Sequence, residues 1–187
     1  MLIETLILSL IIGKFNNGKI KNLNQIHIKG WYALIFAFAL EVISLWVFAN
    51  NAGDFGNIIV NVFPFIQFLV YILLIFVLVL NINKKGIKTM TIGTILNFIP
   101  TVANNGKMPV SKTALIRSNL YNHVKLLENN EILTHVLAKS GTRLYYLSDI
   151  ISIPKPYPFP KVISIGDIIL SIGIFLLIQY YMKDINI

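Results

Sequence analysis

The sequence has no cysteine and only eight acidic residues among 187. Without cysteine the chain forms no disulfide, has no thiolate nucleophile and binds no metal through sulfur. The glycine-rich patterns G-x-G-x-x-G and G-x-x-x-x-G-K-[ST] and the zinc pattern H-E-x-x-H are also absent. His123 and His135 are twelve residues apart, which is not the spacing of a ligand pair. The sequence therefore predicts no metal site and no cofactor.

Charge is scarce as well, at 13% of residues against 56% hydrophobic residues, a composition typical of an integral membrane protein. The net charge of +8 comes from Lys and Arg residues that lie between apolar runs and do not form a stripe with aromatic residues. Such a pattern favours contact with lipid headgroups over binding of nucleic acid. We expect one membrane domain over residues 1–187, with membrane lipids as partners and no nucleic acid; the oligomeric state stays open.

Apolar runs predict the fold class, an all-α bundle of about five membrane-spanning helices. The predicted spans are 2–12, 31–49, 58–82, 87–103 and 163–182. The first span is short, because a helix of that length reaches only about 17 Å across a hydrocarbon core of roughly 30 Å. It must recruit flanking residues, thin the bilayer or lie partly re-entrant.

Lysine-rich short loops predict the direction of the spans. Residues 13–30 and 83–88 carry seven lysines, whereas residues 50–57 carry only Asp54. Because short cytoplasmic loops are enriched in Lys and Arg, both lysine-rich loops should be cytoplasmic. This places the protein in the cell membrane, with the amino terminus and segment 104–162 outside and the carboxyl terminus in the cytoplasm.

Segment 104–162 is predicted to be a helical external segment. Two groups of apolar residues have near-helical spacing, and Gly141 would end the second helix. The groups are Leu115, Leu120, Val124 and Leu127, followed by Ile132, Leu133, Val136 and Leu137. The two helices either lie on anionic headgroups or form a cap packed on the spans.

Two of the few carboxylates, Asp149 and Asp167, fall at the predicted outer membrane boundary. The proline-rich stretch 154–160 between them should be an extended connector that allows them to approach each other. Two carboxylates in poor solvent can share a proton, so that one acts as a base toward water while the other donates to a carbonyl oxygen. The alternative is that Asp167 caps the first turn of the last helix.

Polar side chains also occur inside the predicted spans. Glu41, Gln67 and Asn97 must face protein or a hydrated cavity, because a lipid-facing charge or amide is costly. They predict either interhelical hydrogen bonds or a polar path for a substrate.

The sequence around the two aspartates resembles lipoprotein signal peptidase, the small membrane aspartic peptidase of bacteria. Residues 146–151, Tyr-Leu-Ser-Asp-Ile-Ile, resemble the first element of that family, and residues 164–173, from Ser164 to Gly173, resemble the second. The resemblance covers about residues 145–180. It implies that Asp149 and Asp167 are the catalytic pair of an intramembrane aspartic peptidase, acting on a membrane-anchored peptide or lipoprotein.

The chain as a whole resembles a family of small bacterial multi-pass membrane proteins marked by an Asn-Gly-Gly-x-Met-Pro-Val-Ser-like motif. The resemblance suggests that this turn and the two aspartates form one site, but it implies no activity. The expected substrate-binding residues are Asn97, Asn104, Asn105, Gly106, Met108, Pro109, Ser111 and Ser164. The alternative function is a non-catalytic membrane protein that binds a small ligand, a lipid or a protein partner at the same outer-face site.

Overall fold

The computed structural model describes residues 1–50 and 53–183. Within them the chain is mostly helical. The α-helices are α1 (Leu2–Phe15), α2 (Trp31–Asn50), α3 (Asp54–Leu80), α4 (Ile87–Ala103), α5 (Lys112–Arg117), α6 (Tyr121–Glu128) and α7 (Ile165–Met182). The strands are β1 (Met108–Val110), β2 (His135–Leu137), β3 (Ile151–Ile153) and β4 (Lys161–Ile163), and 3-10 helices cover Ile20–Gln25 and Tyr145–Leu147. Residues 184–187, the predicted cytoplasmic terminus, and residues 51–52 of the predicted loop 50–57 lie outside the described part.

Three helices, α2, α3 and α7, are long and apolar enough to cross a membrane. The apolar segments predicted to be spans are all helical, but α1 has 14 residues and α4 has 17, which makes them shorter than the other three. Large apolar side chains point outward along these helices, with Ile3, Phe38 and Phe65 between 68% and 76% exposed. Apolar surface of this extent is typical of helices that face lipid.

Helices α4 and α7 run antiparallel in close contact, because glycines face each other across their interface. A Cβ atom on Gly93 would lie 2.5 Å from the backbone nitrogen of Leu170, and one on Gly173 would lie 2.6 Å from the backbone nitrogen of Met90. Small residues let helix backbones approach in this way. The contact fixes the start of α7 beside the second half of α4.

The two lysine-rich loops lie at the same end of the bundle. The backbone nitrogen of Lys29 donates to the Asn81 side chain at 2.9 Å, and the Asn81 amide donates back to the Lys29 carbonyl at 2.8 Å. The backbone nitrogen of Lys19 donates to the carbonyl of Met182, the last residue of α7. Segment 104–162 follows α4 and precedes α7, at the opposite end. This arrangement agrees with the predicted grouping of the loops.

Segment 104–162 combines helices and strands, so the prediction of a second helix in its middle part is wrong. Strands β1 and β2 pair in parallel, and β3 and β4 form an antiparallel hairpin closed by the proline-rich stretch. Residues 132–137 contain β2 where a second helix was expected. Asn130, at a φ of 57°, ends the preceding helix, and the backbone groups of β1 then find their partners in β2.

The first predicted helix of this segment is present as two shorter ones, α5 and α6. Their apolar residues form a small core with β1, made of Val110, Leu115, Val124 and Leu127. The segment is therefore a compact cap with its own core, and it positions β1, whose Val110 pairs with Asp149.

Candidate functional site

Asp149 and Asp167 line one cavity of about 270 Å³ between the cap formed by segment 104–162 and the long helices. We call it the acidic cavity. Its polar lining consists of Glu41, Gln67, Tyr71, Asn97, Thr101, Thr134, His135, Asp149 and Asp167, together with the sulfur-bearing Met108. The hairpin that the proline-rich stretch closes brings Asp149 back to the start of α7. The 17 residues between the two aspartates therefore do not separate them in space.

Asp149 is held on both sides by β1. Its backbone nitrogen donates to the Pro109 carbonyl at 3.0 Å, and its carbonyl accepts from the backbone nitrogen of Ser111 at 2.9 Å. The side chain is buried, at 7% exposure, and one carboxylate oxygen lies 3.6 Å from Nε2 of His135. Burial raises the pKa of Asp149 above its usual range, the nearby His135 opposes this, and the charge of Asp167 adds to the rise.

Asp167 lies in the first turn of α7, where it forms a capping box with Ser164. The Ser164 hydroxyl accepts from the Asp167 backbone nitrogen at 2.9 Å, and the Asp167 carboxylate accepts from the Ser164 backbone nitrogen at 3.2 Å. The predicted capping role is confirmed. This helix-capping role leaves Asp167 in the acidic cavity, because its carboxylate also lines the wall of the cavity.

Asn97, a residue of α4, forms hydrogen bonds to both residues of this capping box. Its side-chain nitrogen donates to the second carboxylate oxygen of Asp167 at 2.8 Å, and its side-chain oxygen accepts from the Ser164 hydroxyl at 2.7 Å. Each oxygen of Asp167 thus accepts one N–H donor, an environment that suits a carboxylate, which accepts hydrogen bonds but cannot donate them. Two predicted site residues, Asn97 and Ser164, therefore contact Asp167 directly.

The first residues of the turn from Asn104 to Ser111 form hydrogen bonds and packing contacts outside the acidic cavity. The Asn104 side chain bonds the carbonyls of Pro100 and Arg143, while Asn105 and Gly106 adopt left-handed backbone conformations. A Cβ atom on Gly106 would lie 2.5 Å from Cα of Pro64, so the turn packs tightly on α3.

The rest of this motif approaches the cavity more closely. Met108 lines the acidic cavity, whereas Pro109 and Ser111 hold the backbone of Asp149. Ser111 also caps α5, since its hydroxyl accepts from the backbone nitrogen of Ala114. Among the predicted residues of this turn, Met108 alone is part of the cavity lining, and the others have structural contacts.

Sequence reasoning did not assign Glu41 and Gln67 to the site. The Gln67 amide donates to the Glu41 carboxylate at 3.1 Å, which confirms the predicted interhelical hydrogen bond between α2 and α3. Both side chains also line the acidic cavity. The sequence signal for this pair was an ionisable residue, Glu41, inside a predicted span. That signal does not place Glu41 and Gln67 beside Asp167, because their position depends on how α2 and α3 pack. The approach of His135 to Asp149, at 3.6 Å, was not predicted from the sequence.

An apolar groove of about 500 Å³ adjoins the acidic cavity between α2, α3, α4 and α7. Its walls include Val70, Leu74, Leu170 and Ile174. The two spaces share the side chains of Glu41, Gln67, Tyr71, Asn97 and Asp167. A molecule with an apolar chain and a polar end could occupy both spaces at once.

Within residues 1–50 and 53–183 no group of three His, Asp or Glu side chains is arranged to hold a metal ion. The carboxylates of the acidic cavity are bound to amides and to His135 instead.

Comparison with known proteins shows to which family the chain belongs. An uncharacterized protein of Thermotoga maritima is 27% identical over 179 residues, which cover 94% of this chain and 89% of the relative. No solved structure matches. Residues 25–179, from the loop before α2 to the last turn of α7, match a family of unknown function, DUF5317. This chain belongs to the DUF5317 family.

Proposed function

We propose that this protein is a five-pass membrane hydrolase of the aspartic type, with Asp149 and Asp167 as its acid–base pair at the outer membrane boundary. The observation that carries the proposal is that both carboxyl groups line one cavity, and that this cavity shares five lining side chains with an apolar groove between the long helices. The fitting substrate is a membrane-anchored peptide or lipoprotein, whose apolar part would occupy the groove and whose scissile bond would lie in the acidic cavity.

The environments of the two aspartates suit different roles. Burial raises the pKa of Asp149, which favours a protonated carboxyl group that can donate to a carbonyl oxygen. Asp167 accepts N–H donors on both oxygens, which suits an ionised carboxylate that can take a proton from water.

The reaction would then proceed in balanced steps. Water attacks the substrate carbonyl carbon as Asp167 takes the proton of the water and Asp149 gives its own proton to the carbonyl oxygen. The tetrahedral intermediate collapses when the carbon–nitrogen bond breaks. The proton held by Asp167 passes to the leaving amine, and Asp149 recovers its proton from the hydroxyl of the intermediate.

Hydrolysis in oxygen-18 water tests the proposal. Proteoliposomes that contain the protein and a membrane-protein fraction of a bacterium are incubated in this water, and new peptide carboxyl termini are identified by mass spectrometry. The proposal predicts labelled termini with the wild type. Asp149→Asn and Asp167→Asn should each lower the labelling by at least about a hundredfold, since general acid–base catalysis contributes typically that much. The matched control, Glu128→Gln, removes a carboxylate that pairs with Lys112 on the exposed face of the cap and should leave labelling unchanged.

A second candidate function is binding without catalysis, and the hydrogen bonds of Asp167 favour it. Both of its oxygens already accept donors from α4 and from the cap of α7, as they would in a purely structural role. This candidate predicts no labelled termini with any variant. It also predicts that Asp167→Asn lowers the free energy of unfolding by about 1 kcal/mol, the usual value of a helix cap.

A further inference from the structure

A second polar cavity lies at the end of the bundle opposite the acidic cavity. It has a volume of about 750 Å³ and lies between the start of α4 and the last turns of α7. Its polar lining is formed by Asn83, Lys84, Lys85, Lys88, Thr89 and the two tyrosines Tyr180 and Tyr181. We call it the basic cavity.

The positive charge of this cavity has no carboxylate partner among residues 1–50 and 53–183. Lys84, Lys85 and Lys88 form no ion pair with a carboxylate of residues 1–50 or 53–183. The sequence has no Asp or Glu between Asp54 and Glu128. Among the described residues, the lining of this cavity includes three ammonium groups beside the hydroxyls of threonine and tyrosine, with no carboxylate. Such a set of donors fits an anion with several oxygen atoms.

The loop that carries Lys84 and Lys85 is anchored at both of its ends. Asn81 is buried and its side chain bonds the backbone of Lys29 and the carbonyl of Val77. A Cβ atom on Gly86 would lie 2.3 Å from the carbonyl oxygen of Gly173, so the lysine-bearing loop is in tight contact with α7. The lysines are therefore presented on a preformed turn.

The position of the cavity points to a lipid. Tyr180 and Tyr181 pack edge to face, with ring centroids 5.3 Å apart, at the end of a helix apolar enough to span a membrane. Tyrosines are enriched at this level, where a span meets the headgroups. The apolar side chains of Ile82 and Leu176 complete the wall, so the site has a charged part for a headgroup and an apolar part for the adjoining chain.

We propose that the basic cavity binds the phosphodiester headgroup of one anionic phospholipid of the adjacent leaflet. The three lysines contact the phosphate oxygens, and the tyrosines flank the glycerol and the upper part of an acyl chain. This site is distinct from the acidic cavity and does not depend on the hydrolase proposal.

Native mass spectrometry of the purified protein can count the lipids that stay bound. The protein is equilibrated in detergent with equal amounts of phosphatidylglycerol and phosphatidylcholine. The test variant carries Lys84→Gln, Lys85→Gln and Lys88→Gln. The control carries Lys14→Gln, Lys21→Gln and Lys29→Gln, which remove the same charge from exposed positions at the same end of the bundle. A third variant replaces the three lysines of the cavity by arginine and keeps the charge.

We expect one phosphatidylglycerol to remain on the wild type and on the arginine variant, and no phosphatidylcholine. The test variant should retain phosphatidylglycerol at least tenfold less, because each lysine near a headgroup contributes a factor of roughly five. The control should change retention by less than about threefold. Thermal unfolding of all variants checks that each is folded.

Two results would overturn the proposal. An equal loss in the test and control variants means that the attraction is diffuse and that no site exists. Displacement of the bound lipid by inorganic phosphate at millimolar concentration means that the ligand is a free anion and not a lipid.

Discussion

The contact between Gly166 and Asn97 gives the sharpest prediction about the site. Gly166 lies in the first turn of α7, directly before Asp167. A Cβ atom there would lie 2.0 Å from Oδ1 of Asn97 and 2.8 Å from the carbonyl oxygen of Gly93. Both distances are far below van der Waals contact, so Gly166→Ala must displace the Asn97 amide or separate α4 from α7.

The expected loss of stability follows from two opposing effects. Overpacking of a close interface costs typically about 1–3 kcal/mol, and one of the contacts is backbone that cannot rotate away. Alanine in a helix is favoured over glycine by roughly 1 kcal/mol. These two effects together leave a loss of about 0–2 kcal/mol. Disruption of the hydrogen bonds of Asn97 to Asp167 and Ser164 adds about 1 kcal/mol, so the free energy of unfolding should fall by about 1–3 kcal/mol.

Two further glycines provide matched controls, and unfolding in mixed micelles is the assay. Gly173→Ala tests the same interface nearer the other end, where a Cβ atom would lie 2.6 Å from the Met90 backbone nitrogen. It should destabilise to a similar extent and leave the Asp167 site intact, so only Gly166→Ala should also impair hydrolysis. Gly141→Ala adds a Cβ atom with nothing within 4 Å and should be neutral. If Gly166→Ala is as stable as the wild type, α4 and α7 are not in the close contact described.

Three other predictions concern the support of the acidic cavity. Because burial raises the pKa of Asp149 above the usual 3.8, the folded protein binds this proton more tightly than the unfolded chain does. Its stability relative to Asp149→Asn should therefore decrease as pH rises from about 4 through the raised pKa, and a pH-independent difference would contradict the burial of the carboxyl group. The Ser111→Ala variant loses the α5 cap and should unfold about 1 kcal/mol more easily in chemical denaturation, unlike Ser111→Thr, which keeps the acceptor. The Gly106→Ala variant places a side chain at a φ of 72° and against Pro64, so it should lose at least about 1 kcal/mol in thermal unfolding, and an unchanged midpoint would be inconsistent with the tight turn.

The sequence predicts the long apolar helices well because their signal is local. Runs rich in apolar residues predict α2 and α4 almost residue for residue, and α3 begins four residues before its predicted start. The strand at residues 135–137 was missed because its apolar spacing also fits a helix. Its pairing with β1, 27 residues earlier, decides the outcome, and a pairing over that distance leaves no local pattern.

The site residues also divide into those with a local signal in the sequence and those whose role depends on contacts between distant elements. Asp149 and Asp167 could be selected because charge is rare in this chain and both lie at a predicted boundary. The role of the turn at residues 104–111 as a support for Asp149, and the arrival of Glu41 in the same cavity, depend on contacts between distant elements. The spacing of residues along the sequence does not predict such contacts.

Cross-linking of the two aspartate positions tests the central claim most directly. Because the chain has no cysteine, Asp149→Cys combined with Asp167→Cys introduces the only thiols, and a short bifunctional thiol reagent can join them only if both line one cavity. The account predicts an intramolecular link for this pair and none for the control pair Glu128→Cys with Asp167→Cys, whose first position lies on the exposed face of the cap. Failure of the first pair to link, in variants that unfold like the wild type, would contradict the shared cavity and with it the proposed catalytic pair.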